Sequence, residues 1–179
     1  MTPQFTPFPK IPRWSKEVII TEKLDGTNAS VLITEQECIL VGSRNRWITP
    51  QDDNYGFAKW VQENYKEILR LGPGHHFGEW WGKGIQRGYG LKERRFSLFN
   101  VSRWSTDNLP DCVGVVPTLW QGELKLDNNF INEVMENLLI SGSKAAPGFM
   151  NPEGIIIFHT GSNTPYKKTF ENDQGKWKG

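Results

Sequence analysis

Cysteine is scarce in this chain: Cys38 and Cys112 are the only two among 179 residues, they lie far apart, and together with three histidines they match no metal-ligand spacing. That argues against a disulfide scaffold or a zinc module, and both thiols are expected to be reduced. Long apolar runs are missing as well. The longest, Ile155-Ile156-Ile157-Phe158, is far too short to cross a bilayer, and the N-terminus has no basic start followed by an apolar stretch. A cytoplasmic protein is expected, in which the sequons at Asn28 and Asn100 are accidental. Nor does one sign of charge dominate. A net charge of +1 gives no global attraction to phosphate, so any polyanion contact depends on local clusters such as Arg44/Arg46, Lys83/Arg87 and Lys92/Arg94/Arg95.

What the chain has in quantity is aromatic mass. Eight tryptophans in a chain of this length point to one ordered globular domain, and no internal repeat is visible. Residues 1–16 read as a proline-rich, extended arm (Pro3, Pro7, Pro9, Pro12) whose Phe5, Phe8 and Trp14 pack into surface grooves; residues 17–179 form the domain proper. Strands are expected over 17–23 and 29–34, on either side of an Asp-Gly turn, and over 38–43, 75–81, 95–101, 153–159 and 165–170. Phe57, Trp60, Val61, Ile68 and Leu69 recur at helical spacing between Asp52 and Leu71, with Asp52 or Asp53 as cap and Gly72-Pro73 as stop. A second helix is expected over 127–140, begun by Asp127 or Asn128 and ended by Gly142. Strands cluster without regular βαβ alternation, and links such as 34–38 are too short for parallel crossovers. The expected class is therefore α+β, with antiparallel sheets flanked by helices and the chemistry in a groove between sheets.

Lys23-Leu24-Asp25-Gly26 places a lysine at a strand end before a tight turn. Read functionally, it is a nucleophile; read plainly, a solvent-facing lysine. As a nucleophile it must lose a proton that a free lysine, with a pKa of about 10.4, keeps at neutral pH, and Lys167 or Lys168 could supply the neighbouring charge that favours the loss. Phe77, Glu79 and Trp81 alternate on one strand face, so Glu79 shares that face with aromatics, either as an edge ion pair or as an acceptor for ribose hydroxyls. Glu153, between Pro152 and Gly154, is a loop carboxylate or a holder of hydrated Mg²⁺. Ser43-Arg44-Asn45-Arg46 offers two guanidiniums for phosphate or for solvent, and Phe96 and Phe99 fall on opposite strand faces. The glycines of Gly82-Lys83-Gly84 and Gly88 match neither the dinucleotide fingerprint nor the Walker loop.

Lys23-Leu24-Asp25-Gly26-Thr27-Asn28, Ser43-Arg44-Asn45-Arg46, Phe77-Gly78-Glu79-Trp80-Trp81-Gly82, Arg95 to Val101, Pro152-Glu153-Gly154-Ile155-Ile156 and Tyr166-Lys167-Lys168-Thr169 together resemble the ordered motifs of ATP-dependent RNA ligases, in the covalent nucleotidyltransferase superfamily. The resemblance spans about residues 17–170. It implies a lysyl-AMP at Lys23, with Glu22, Asp25, Gly26 and Asn28 beside the nucleotide and Arg44 on its phosphates. It further implies Glu79 on the ribose, Phe99 stacked on the base, Glu153 organising Mg²⁺, and Lys167 or Lys168 on the α-phosphate of ATP. The implied activity is transfer of AMP to an RNA 5′-phosphate, then sealing by a 3′-hydroxyl, as in RNA repair. Rival readings are a non-catalytic binder of nucleotides or RNA ends, a DNA ligase, and a GTP-using capping-type enzyme. The last motif departs from the family in having adjacent lysines. The sequence runs about ten residues beyond it, too few for the separate C-terminal domain of many relatives, so a partner protein replacing that domain is a further expectation.

Overall fold

The computed structural model describes residues 4–14, 16–123 and 129–171. Within these residues ten strands form two sheets. In chain order the elements are β1 (Glu17–Lys23), β2 (Thr27–Ile33), β3 (Ile39–Gly42), β4 (Trp47–Ile48), α1 (Phe57–Glu63), α2 (Tyr65–Leu69), β5 (Gly74–Gly82), β6 (Arg94–Leu98), β7 (Val113–Val115), β8 (Thr118–Glu123), α3 (Asn129–Ser141), β9 (Gly154–His159) and β10 (Thr164–Thr169). One sheet has four strands in the order β10-β9-β1-β8, all antiparallel; the other has six in the order β4-β3-β2-β5-β6-β7. In the larger sheet β7 runs parallel to β6, so the expectation of purely antiparallel sheets is corrected at that edge. Fourteen residues separate β6 from β7, enough chain to return in the same direction, which a tight hairpin cannot do.

Each sheet buries one face under helices and turns the other toward its partner sheet. Val18, Ile20 and Ile155 of the small sheet pack with Val134, Met135 and Leu138 of α3, while Ala29, Val31, Ile33, Trp80 and Phe96 of the large sheet pack with Phe57, Val61 and Ile68 of α1 and α2. Strand alternation then sends Ile19, Thr21 and Lys23, and Asn28, Phe77 and Glu79, to the opposite faces. Among the described residues the chain passes between the sheets at two places, Leu24–Gly26 and Val116-Pro117. Leu24 and Val116 share a small core with Trp81, Tyr89 and Ala146.

Several expected boundaries shift. The single helix expected over 52–71 is two short ones, because the Asn64 side chain donates to the Trp60 carbonyl at 2.8 Å and its backbone leaves the helical region there. Its start moves to Phe57, yet Asp53 still serves it, accepting from the Ala58 and Lys59 N–H groups at 2.8 and 3.0 Å. The expected caps Asp127 and Asn128 of the other helix lie outside the described residues; Gly142 does end it, with φ +76°. β6 stops at Leu98, since Asn100 opens a turn in which its side chain accepts from the Arg103 N–H. The arm does not pack as expected: Phe5 and Phe8 are 85% and 87% exposed, and the contacts lie at Trp14, whose carbonyl accepts from His159 Nε2 at 2.9 Å.

Candidate active site

Between the two sheets lies a cavity of about 900 Å³, lined from the small sheet by Thr21, Lys23, Ile156 and Lys167 and from the large one by Asn28, Phe77 and Glu79. Lys23 ends β1 at the first crossing between sheets, and its Nζ lies 2.6 Å from Glu153 Oε2. Glu153 is brought there by register, because Lys23 pairs with Gly154 at the start of β9. The turn after Lys23 is pinned from several sides. Arg87 Nε donates to Asp25 Oδ2 at 3.0 Å while its Nη1 donates to the Asn151 carbonyl at 3.2 Å, so one guanidinium ties the lysine turn to the segment carrying Glu153. The Asp25 N–H donates to the Tyr89 hydroxyl at 2.8 Å. Burial pushes that phenol well above its ordinary value, so it stays protonated. Gly26 has no space for a side chain: a Cβ would collide with the Trp80 carbonyl oxygen and lie 2.7 Å from Trp81 Cβ.

Glu79 closes the turn from the facing sheet, accepting from the Gly26 N–H at 3.1 Å and from Asn28 Nδ2 at 3.2 Å. It is 7% exposed. Burial raises its pKa to about 7, against the pull of Lys23 and the Gly26 amide, and Glu153 and Asp25 push the same way as burial. Glu22 is buried more deeply, at 1% exposure, and burial raises its pKa although the Lys144 and Ala145 N–H groups donate to Oε2 at 2.8 and 2.9 Å. Its Oε1, on a residue lining the cavity, has no hydrogen-bond partner among the described residues. The Ser143 hydroxyl also favours the charged form of this carboxylate, ahead of the two amides, and burial still outweighs all three. The arrangement can present one amine to a bound electrophile, with cations and acceptors converging from both sheets.

A family model described as RNA ligase matches residues 16–170. The chain belongs to the RNA ligase family. Among solved structures, a mutant Naegleria gruberi RNA ligase with AMP and Mn is similar at TM-score 0.64 and 23% identity, covering 87% of this chain and 50% of that one. Another mutant of that ligase, with ATP and Mn, gives TM-score 0.63 at 21% identity over 86% and 49% of the two chains. The ligase with PPi gives 0.59 at 22%, over 86% and 49%. The chain thus spans about half the length of these ligases, and the likeness at such identities is one of fold. No curated protein matches it.

Within this RNA ligase fold, Lys23, Glu22, Gly26, Asn28, Arg44, Glu79, Phe99 and Lys167 all line the one cavity. Glu153 joins through its ion pair with Lys23, and Asp25 faces Arg87. The adjacent lysines separate by strand alternation: Lys167 pairs with Ile156 on the cavity side, whereas Lys168 pairs with Ile155, which packs toward α3, and Lys168 does not line the cavity. Phe96 is fully buried and Phe99 is at the cavity wall. Arg46 turns away to pair with Asp52. Sequence reasoning missed Arg87 and Tyr89 as partners of the lysine turn. The signal was the glycine-rich stretch between β5 and β6, which holds no phosphate fingerprint but folds back to deliver both side chains. The amides of Lys144 and Ala145 had no sequence signal at all. Among the described residues, no group of three or more His, Cys, Asp or Glu side chains is arranged to hold a metal, and no helix is long and apolar enough to span a membrane.

Proposed function

We propose that this chain is an ATP-dependent RNA ligase that forms a lysyl-AMP at Lys23 and passes AMP to an RNA 5′-phosphate before a 3′-hydroxyl seals the strand. The observation that carries the reading is the Lys23 amine at the floor of the inter-sheet cavity, 2.6 Å from Glu153, with Arg44, Lys167 and Phe99 on the same walls. Glu153 holds the ammonium in the resting site. On nucleotide binding the ammonium loses a proton to water and the neutral amine attacks the α-phosphorus; the N–P bond forms as the bond to pyrophosphate breaks. Lys167 and Arg44 meet the phosphate charge, Glu79 accepts from the ribose hydroxyls, and Phe99 stacks on the base.

Glu22, which lines the cavity, offers a carboxylate acceptor to the exocyclic amino group of adenine. A divalent ion also fits the donor set. With one carboxylate, Glu153, the ion would complete its shell with phosphate oxygens and water, as Mg²⁺ commonly does. When bound it offsets the charge of the phosphates. The solved relatives contain Mn with ATP or AMP, which supports a divalent requirement.

Incubation with α-labelled ATP and a divalent ion tests the reading. A covalently labelled protein is expected, lost in Lys23→Ala and not formed with GTP. An unlabelled protein, or label that survives Lys23→Ala, overturns it. Nicked RNA duplex, single-stranded RNA and nicked DNA, offered to the adenylated protein, then identify the acceptor.

A further inference from the structure

The face of the large sheet that carries Glu79 continues beyond the cavity as a row of rings. Trp47, His75 and Phe77 lie on it in sequence, with ring centroids 5.8 Å apart and 26° between planes for the first pair, and 4.0 Å and 34° for the second. A solvated strand face would present polar side chains at these positions; here Trp47 and Phe77 are 52% and 55% exposed. The rings are held rather than loose. His75 Nε2 is hydrogen-bonded to Ser30 Oγ at 3.1 Å, and Trp47 lies over Gly42, where a Cβ would stand 3.4 Å from the indole and 2.7 Å from Ser30 Oγ. His75 and Phe77 line the cavity of Lys23, and Phe77 also bounds a smaller hollow of about 170 Å³ with Arg44 and Phe99. Arg44 enters no ion pair among the described residues.

We infer that Trp47, His75 and Phe77 form a stacking platform for unpaired bases of the RNA strand whose end is joined, with Arg44 taking the phosphate at the boundary with the cavity. The inference rests on the ligase reading for the identity of the polynucleotide. Exposed aromatic rings match base faces, and a duplex hides those faces inside its own stack, so the occupant is single-stranded at this point. The uncompensated guanidinium favours a polyanion over an apolar protein surface. Continuity with the cavity means that a strand stacked on Trp47 and Phe77 ends beside the Lys23 amine.

The test is fluorescence anisotropy of the full chain with a short, 5′-phosphorylated single-stranded RNA. Competitors are an abasic strand of equal length and a blunt RNA duplex. The unlabelled single strand is expected to compete best, Trp47→Ala to weaken binding about tenfold, and Trp47→Phe to retain most of it. Self-adenylation with ATP is expected to be unchanged in Trp47→Ala, because Trp47 does not line the cavity. Wild-type affinity in Trp47→Ala overturns the platform. So do equal competition by the abasic strand or the duplex, absence of single-strand binding, or a Trp47-dependent dimer whose loss leaves RNA binding intact. The competition series uses the unmutated protein and stands even if Trp47→Ala does not fold. Absence of a Lys23 adduct, with Trp47-dependent RNA binding preserved, would sink the catalytic reading and leave the platform standing.

Discussion

Replacing Glu79 by glutamine should stabilise the protein at neutral pH while impairing nucleotide transfer. Glu79 sits at 7% exposure with a pKa raised from an ordinary value near 4.5 to about 7. At about 1.4 kcal/mol per pKa unit, carrying the ionised carboxylate costs the fold about 3 kcal/mol. The sign follows from proton uptake. Below pH 4.5 both folded and unfolded forms are protonated. Between 4.5 and 7 only the folded form keeps the proton, so this group's stabilising contribution is lost as pH rises and is gone above 7. Glutamine keeps an acceptor for the Gly26 N–H, and Asn28 can turn its amide oxygen toward the new NH₂. The stability advantage of Glu79→Gln over the parent should therefore increase by about 3 kcal/mol from pH 4 to pH 8, equivalent to roughly 6–12 °C in Tm for a domain of this size. Urea unfolding across that range measures it, since effects of other titrating groups cancel in the difference. Parallel stability profiles for the two proteins would refute the account of Glu79 as a strained, buried carboxylate. Stability gained at the cost of adenylation would mark the residue as kept for function.

The adjacent lysines should part company: Lys167→Ala lowers self-adenylation at least about tenfold, whereas Lys168→Ala leaves it within about twofold, in an α-labelled ATP assay. Arg87→Ala releases Asp25 and the Asn151 carbonyl together, and thermal melting should register a loss of about 2 kcal/mol alongside reduced adenylation. Gly26→Ala forces a methyl group against the Trp80 carbonyl and Trp81, so it should abolish the adduct and lower Tm more than any of these changes. Labelling with ATP should also weaken as pH falls through 7, because Glu79 takes up a proton and loses an acceptor for the ribose; a pH series of ATP affinity, compared with that of Glu79→Gln, reads this directly.

The Val- and Ile-rich segments were legible because alternation and β-branching are local: β1 appears where expected, and β2, β5 and β9 within a residue or two of it. Lys23 at a strand end was legible for the same reason, since an Asp-Gly pair after an apolar run marks a turn. The short β7 and β8 were not, because Val-Gly-Val is brief and interrupted by glycine, Thr-Leu-Trp-Gln-Gly-Glu lacks a clean alternation, and both pair only with β6 and β1. The choice between Lys167 and Lys168 needs the register with Ile156, which depends on a pairing that the sequence does not number. Arg87 meets Asp25 across 62 residues, and Glu22 meets the Lys144 amide across 122. Contacts of that range follow from how the two sheets are assembled, and no local pattern encodes them.

Both strand-to-strand passages between the sheets run along one margin, where the Glu22 N–H donates to the Pro117 carbonyl at 2.9 Å. The molecule is thus bound like a book, with its spine at Leu24–Gly26 and Val116-Pro117 and its pages opening on the far side. Lys23 is stitched into that spine. A guest that changed the spacing of the pages would therefore act on the same backbone that aims the amine.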